Sequence, residues 1–289
     1  MNVANPYLKT PPRKARKFFL AYATANDAPN YLADFLNFRN MARLNPGVDR
    51  VLVYIAISCV RGVNATDLRA INGLRKMAAD CPWLEVQEII WKSNIGRDFS
   101  SVEACLQHMQ KEAAAEDFIM VRNRSAYGPF SRSWYQSYVD QYMKFPKTGL
   151  VGSTINLVGH PKRPVPGQTA HVQTYVYLTQ WQHLEDMCTA YPGAGCADRL
   201  DIINQGEIGL SRNILHRGLG ISCLYWSDLF LTEENDASVE VPRTDIRVLA
   251  KDAPLPLRYR FGAYTYYPSV WWALMGWVVW LKIGRTVTP

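Results

Sequence analysis

The chain has 289 residues, 48% hydrophobic and 20% charged, a balance that excludes a disordered segment and leaves room for one large α/β domain or two small ones. Thirty-two Lys and Arg against 25 Asp and Glu give a formal charge of +7, which suits an anionic partner. No Lys/Arg run alternates with aromatics as a nucleic-acid groove requires, so nucleic acid is not an expected partner.

Residues 1–16, with Pro6, Pro11 and Pro12, read as an extended arm. The stretch "RKARKFFLAYATA" resembles a poor secretory signal, but its apolar part is barely long enough for one and its basic cluster begins a dozen residues in, so it reads better as a linker entering the first core strand. "KFFLAYA" and "RVLVYIAISCV" are β-rich apolar runs of the kind buried in a parallel sheet. Between them Leu32, Phe35, Leu36, Phe38 and Met41 recur at helical spacing over 30–44. Leu68, Ile71, Leu74 and Met77 predict a second helix over 66–79, ended by Asp80-Cys81-Pro82.

"LEVQEIIWK" is a third strand, 99–115 a helix and "DFIMV" a fourth strand. This alternation predicts an α/β fold with a twisted, mostly parallel central sheet flanked by helices. Further on, a helix is expected over 131–143 and strands at "TGLVGSTINLV" and "HVQTYVYLT", separated by a loop with Pro161, Pro164 and Pro166. Helices over 180–191 and 205–217 follow. The uncharged, aromatic-rich segment 261–281 is diluted by Pro268 and Gly276; it reads as a buried or interfacial element, with peripheral membrane contact through 261–285 left open. The six cysteines form no CxxC pair, which fits free thiols in a reducing, cytoplasmic setting.

Ligands of open α/β sheets collect outside the carboxyl ends of the strands, so three loops matter. In "ATANDAP", Thr24, Asn26 and Asp27 either cap the next helix or touch a ligand. In "KSNIGRDFSS", Gly96 permits a tight turn, Arg97 offers a planar fork to phosphate, and Asp98 caps the next helix or accepts hydrogen bonds. In "FIMVRNRSAYGPF" the apolar strand breaks into Arg122, Asn123, Arg124 and Ser125. No Walker A loop, GxGxxG, GxSxG elbow or zinc-type spacing is present, which argues against NTPase, dehydrogenase and hydrolase functions.

"NIGRD" (94–98) and "VRNRSAYGPF" (121–130), followed in order by "GLVGSTIN" (149–156), "AHVQTYVYLT" (170–179) and "GEIGLS" (206–211), resemble the motif blocks of rhamnan synthesis F-like glycosyltransferases. "LKIGR" (281–285) resembles the family's closing signature loosely, so the likeness runs over roughly residues 17–285, read as one domain after the arm. The resemblance implies a GT-A-like nucleotide-sugar fold that moves a sugar from a nucleotide donor to a carbohydrate hydroxyl in polysaccharide biosynthesis. It places Thr24, Asn94, Arg97, Asp98, Asn123, Arg124 and Ser125 at the donor, and His171 and Gln173 at the sugar or acceptor.

It also makes Glu207 the general base of an inverting transfer, with Gly206 before it allowing close approach of substrate; the alternative is a Glu that only complements a helix dipole. The family's Asn-Asp-Ser is here Asn123-Arg124-Ser125, and without that carboxylate Mg²⁺ or Mn²⁺ is poorly held. Either Arg97, Arg122 or Arg124 meets the leaving diphosphate without a metal, or the chain is a non-catalytic nucleotide-sugar-binding partner in a glycosylation complex.

Overall fold

The computed structural model describes residues 16–27, 31–157, 170–235 and 245–260. The arm up to residue 15, the Pro161–Pro166 loop, the aromatic-rich segment and the "LKIGR" block lie outside the described residues.

The first half of the chain alternates strand and helix as its periodicity predicts. β1 (Phe18–Ala25) leads to α1 (Leu32–Arg43), β2 (Val51–Cys59) to α2 (Ala65–Ala79), and β3 (Leu84–Ser93) to α3 (Arg97–Met109), which enters β4 (Phe118–Asn123). A short β5 (Ala126–Tyr127) precedes α4 (Gln136–Lys144). The long strand expected after α4 is broken into β6 (Thr148–Gly152) and β7 (Ile155–Asn156), and the next into β8 (His171–Val172) and β9 (Val176–Gln180). β7 and β8 pair with each other outside the main sheet.

The helix expected over 180–191 is instead two single 3₁₀ turns, Trp181–His183 and Glu185–Met187. Within the two turns Trp181, Leu184 and Met187 are the buried residues, with Cys188 and Tyr191 buried just beyond them. The chain then forms α5 (Arg199–Asp201), a π-helical segment Ile202–Ile208 and α6 (Gly209–His216). β10 (Gly220–Cys223), β11 (Phe230–Leu231), α7 (Ile246–Leu249) and β12 (Arg258–Tyr259) complete the described elements.

The main sheet has eight strands in the order β11-β10-β6-β9-β4-β1-β2-β3. β1 runs parallel to β2 and β4, β2 to β3, and β6 to β10, while β9 is antiparallel to both β4 and β6, and β11 to β10. Only β9 and β11 therefore run against the rest, and the expected α/β class with a mostly parallel sheet is observed. Successive side chains of a strand leave opposite faces, and here both faces are covered. Leu20 and Tyr22 of β1 pack with Phe35, Phe38, Ile71, Leu74 and Tyr138 from α1, α2 and α4 on one side. Phe19 and Ala21 pack with Val102, Cys105, Leu106, Leu210 and Ile214 from α3 and α6 on the other. All six cysteines are free thiols, as expected.

Local signals explain some ends and not others. Asn64 caps α2: its side chain accepts from the N–H groups of Thr66 and Asp67, and the Asp67 carboxylate accepts from the Asn64 N–H. This reciprocal pair satisfies donors that a helix start otherwise leaves open. Asn64→Ala is expected to cost about 1 kcal/mol, read as a lower urea midpoint at unchanged m-value. Thr24, Asn26 and Asp27 do not cap α1, whose first residue follows Tyr31 with no side-chain cap. Asn26 instead ties two loops together, donating to the Arg61 carbonyl at 3.0 Å and accepting from the Val60 N–H at 2.7 Å.

Candidate functional site

The strand order reverses between β1 and β4. The chain steps outward from β1 to β3, then returns across α3 to the opposite flank of β1. A crevice opens at such a switch point, beyond the carboxyl ends of the parallel strands. Here it is a cleft of about 480 Å³, whose lining includes Arg97, Asp98, Asn123, Ser125, His171, Gln173 and Glu207. Seven of the ten site residues named from the sequence thus share one cavity, drawn from chain segments more than a hundred residues apart.

The start of α3 forms one wall. Gly96 has φ +68°, and a Cβ there would be driven into the Ala194 carbonyl, so only glycine lets this turn meet the 191–196 loop. The Gly96 N–H donates to the Cys196 carbonyl at 2.9 Å, fixing that meeting. Arg97 follows in the same left-handed region at φ +50°, a strained state for a side-chain-bearing residue of the kind that concentrates at functional sites. Asp98 is turned inward, where Asn123 Nδ2 at the end of β4 donates to its carboxylate at 2.6 Å. Burial pushes the Asp98 carboxyl above its usual range, and the Asn123 bond only partly offsets this.

The opposite wall is the π-helical segment carrying Glu207. Gly206 does not face substrate: it is buried against the Phe99 ring of α3, and any side chain there would collide with that ring. Its role is to bring the two walls together. A π-helical stretch re-aims side chains relative to an α-helix, and such stretches recur at functional sites. Glu207 consequently faces the cleft with its side chain 30% exposed. Burial, and then the nearby Asp98 charge, raise its carboxyl from the usual 4.5 to about 7, with Arg247 and Arg199 working in the other direction. His171, buried on β8, places Nε2 3.8 Å from the Glu207 carboxylate, and Gln173 Nε2 lies 3.4 Å from the same imidazole nitrogen.

Three named residues are elsewhere. Asn94 is exposed in the turn before α3, where its carbonyl accepts from the Arg97 N–H at 3.2 Å. Thr24 is buried beneath the sheet end, beside Asp34. Arg124 does not line the cleft: its guanidinium donates to the Ala25 carbonyl at 3.2 Å and pairs closely with Asp27, which clamps the loops after β4 and β1 to each other. Arg122 is also withdrawn. It is fully buried on the α1 side of the sheet, donates to the Ala126 carbonyl at 2.9 Å, and lies 5.5 Å from the centre of the Tyr22 ring. Of the arginines expected to face a diphosphate, only Arg97 reaches the cleft.

The sequence reading missed a third wall. Asn156, Tyr175, Arg199, Asp245, Arg247 and Tyr259 also line the cavity. Asp245 caps α7 and holds Arg247 in a two-pronged pair, with Nε–Oδ1 at 3.0 Å and Nη2–Oδ2 at 2.7 Å. That pairing keeps the Asp245 carboxyl below its usual range. Arg247 rests over the Tyr259 ring at 4.9 Å, and Tyr259 meets Tyr175 edge-on at 5.4 Å. The cap at Asp245, three residues after Pro242, was a readable helix-start signal. The pairing of β12 with β5 that brings Tyr259 over the cleft carries no local signature.

The polar groups at the strand ends bond to one another. The Asp98 carboxylate is engaged by Asn123, and Asn123 Oδ1 accepts from the Ser125 N–H at 2.9 Å. Among the described residues no three His, Cys, Asp or Glu side chains are grouped as metal ligands. Nor is any helix among them long and apolar enough to cross a membrane.

No protein-family model and no curated protein matches the chain. Solved structures similar in fold include the galactosyltransferase LgtC in complex with donor and acceptor sugar analogues, at 12% identity and TM-score 0.44 over 94% of this chain and 98% of that one. Another is TarS of S. aureus in complex with UDP-GlcNAc, at 16% identity and TM-score 0.43, covering 81% of this chain and 64% of that one. A third is a putative glucose-1-phosphate thymidylyltransferase from Bacillus anthracis in complex with a sucrose, at 11% identity and TM-score 0.41 over 73% of this chain and 86% of that one.

Proposed function

We propose that this protein is a glycosyltransferase that moves a sugar from a nucleotide donor to a carbohydrate hydroxyl with inversion, and that Glu207 is its general base. The observation that carries this reading is the Glu207 carboxyl, raised to about 7, facing the same switch-point cleft as Arg97, Asp98 and Asn123. A base of that pKa is about half ionised at neutral pH and basic enough to take a hydroxyl proton as the bond forms. The motif blocks around 94–98, 121–130 and 206–211, which resemble rhamnan synthesis F-like enzymes, supply the substrate class.

In this mechanism the acceptor oxygen attacks the anomeric carbon while its proton passes to a Glu207 carboxylate oxygen. The bond from that carbon to the diphosphate oxygen breaks, and the electron pair leaves with the nucleoside diphosphate. Asp98 and Asn123 form a fixed hydrogen-bonding edge for the donor's ribose or sugar hydroxyls. Arg97, held at the mouth of the cleft by a strained backbone, meets the negative charge that develops on the leaving group. His171 and Gln173 buttress Glu207 on the acceptor side. No step is routed through a metal.

The test is a thermal-shift screen of the full-length chain against UDP-, GDP- and dTDP-sugars, with and without Mn²⁺, followed by a donor-hydrolysis assay. One nucleotide class is expected to raise the melting temperature equally with and without the metal, and its sugar to be released slowly in the absence of acceptor. Stabilisation by a donor with no hydrolysis or transfer would identify a non-catalytic binding relative. No stabilisation by any donor would refute the proposal.

A further inference from the structure

The cleft is lined by three arginines and by three acids, Asp98, Glu207 and Asp245, of which among the described residues only Asp245 is bonded to an arginine. Arg97, at the start of α3, and Arg199, on α5, both line the cavity, and among the described residues neither side chain has a hydrogen-bond or ion-pair partner. Arg247 also lines it, but Asp245 already neutralises that guanidinium. The acids around Arg199 are accounted for: Asp198 accepts from the N–H groups of Leu200 and Asp201, Asp201 points into solvent, and Glu207 is reserved for the reaction. The two cations act on different carboxylates. Arg97 is a charge neighbour of Asp98, whereas Arg199 and Arg247 are charge neighbours of Glu207.

The orientation of a displacement separates the two poles. The attacking hydroxyl and its base stand on the face of the sugar opposite the leaving group. With the diphosphate against Arg97, the acceptor enters beside Glu207, between Arg199 and the wall formed by Tyr259 and Tyr175. A free guanidinium at that point would lose hydration on acceptor binding unless the acceptor brought an anion to it, and guanidinium matches planar carboxylate or phosphate with two parallel hydrogen bonds.

We propose that the Arg199 side of the cleft is an acceptor subsite for a sugar bearing an anionic group, either the carboxylate of a uronic acid or a phosphate ester. This rests on the glycosyltransferase reading and specifies its acceptor class. Arg199 fixes the anion, Tyr259 and Tyr175 bound the ring, and the nucleophilic hydroxyl is thereby delivered to Glu207.

The test is ligand-observed NMR titration of the full-length chain with glucuronate, glucose 6-phosphate and glucose, with UDP as the probe of the donor side. At least one charged sugar is expected to bind roughly tenfold more tightly than glucose, as a charge-assisted pair predicts. The two charged probes distinguish a carboxylate from a phosphate site. Arg199→Gln is expected to abolish the preference while leaving UDP binding unchanged and the chain folded, because Arg199 is exposed and among the described residues its side chain has no hydrogen-bond or ion-pair partner.

Equal binding of charged and neutral sugars, or binding of none of the three, overturns the inference. So does an Arg199→Gln variant that loses UDP binding as steeply as it loses the charged sugar, which would put Arg199 at the donor. Failure of UDP to bind the unmodified chain would instead overturn the functional reading itself.

Discussion

Glu207→Gln is expected to lower the rate of sugar transfer by about 10²- to 10⁴-fold while leaving donor affinity intact, the effect of removing a general base that does not hold the ground state. Glutamine keeps the shape and the burial but cannot accept the acceptor's proton. The pH dependence has a matching sign. Transfer by the unmodified enzyme should fall as pH drops through about 7, where the Glu207 carboxylate becomes protonated, and the residual activity of the variant should lack that limb.

The same shift makes a stability prediction of opposite sign. Between the usual 4.5 and about 7 the folded chain holds a proton on Glu207 that the unfolded chain has released. Its contribution to stability is therefore complete below about 4.5 and lost as pH rises through 7, at a cost on the order of 3 kcal/mol at most above it. Glu207→Gln should consequently melt a few degrees higher than the unmodified chain at pH 8, with the two melts converging toward pH 5. A residue that merely complements a helix dipole would give neither the rate loss nor the gain in stability. Near-normal turnover by the variant would rule out the assignment.

Gly96→Ala is expected to destabilise the fold by about 3 kcal/mol or more, through a left-handed φ that L side chains adopt at a cost and a Cβ aimed at backbone that cannot move aside. The Ala194 carbonyl belongs to a loop anchored twice to α3, by the Gly96 N–H bond to Cys196 and by the Tyr191 N–H, which donates to Glu103 Oε1 at 3.0 Å. Relief of the collision has to shift the helix start, so Arg97 and Asp98 would leave their places and donor binding should weaken along with stability. The control lies in the same loop: a Cβ at Gly195 meets nothing within 4 Å, and Gly195→Ala should stay within roughly 0.5 kcal/mol of the unmodified chain. Urea denaturation of both variants, with UDP titration of whichever remains folded, decides the matter. Equal midpoints for the two would show that the 191–196 loop yields and that the α3 start is not fixed by it.

Two arginines flanking Asn123 in "RNRS" show why residue type alone mispredicts a site. Arg122 and Arg124 stand where phosphate ligands were expected, yet alternation along β4 sends Arg122 through the sheet to the Tyr22 side, and Asp27 takes Arg124. The face reached by Arg122 could have been counted from the strand pattern, since Phe118 and Met120 share it. The partner of Arg124 sits 97 residues earlier and could not. Gly206 is a similar case. A glycine before a candidate base invites a reading of substrate access, whereas the Phe99 ring fills that space.

The linear order of residues was enough to fix the α/β class, the first four strands with their helices, the turn at Gly96 and the cluster of polar residues at strand ends, because each depends on near neighbours: side-chain period, capping and backbone freedom. Only the folded chain decided which of those polar groups face one another. The raised carboxyl of Glu207 comes from burial and from Asp98 across the cleft, the third wall from the return of 245–260 over the sheet, and the lack of a bonded partner for Arg199 among the described residues from what does not reach it. Burial and electrostatic coupling act through space over a few ångströms, and separation along the chain carries almost no information about that distance.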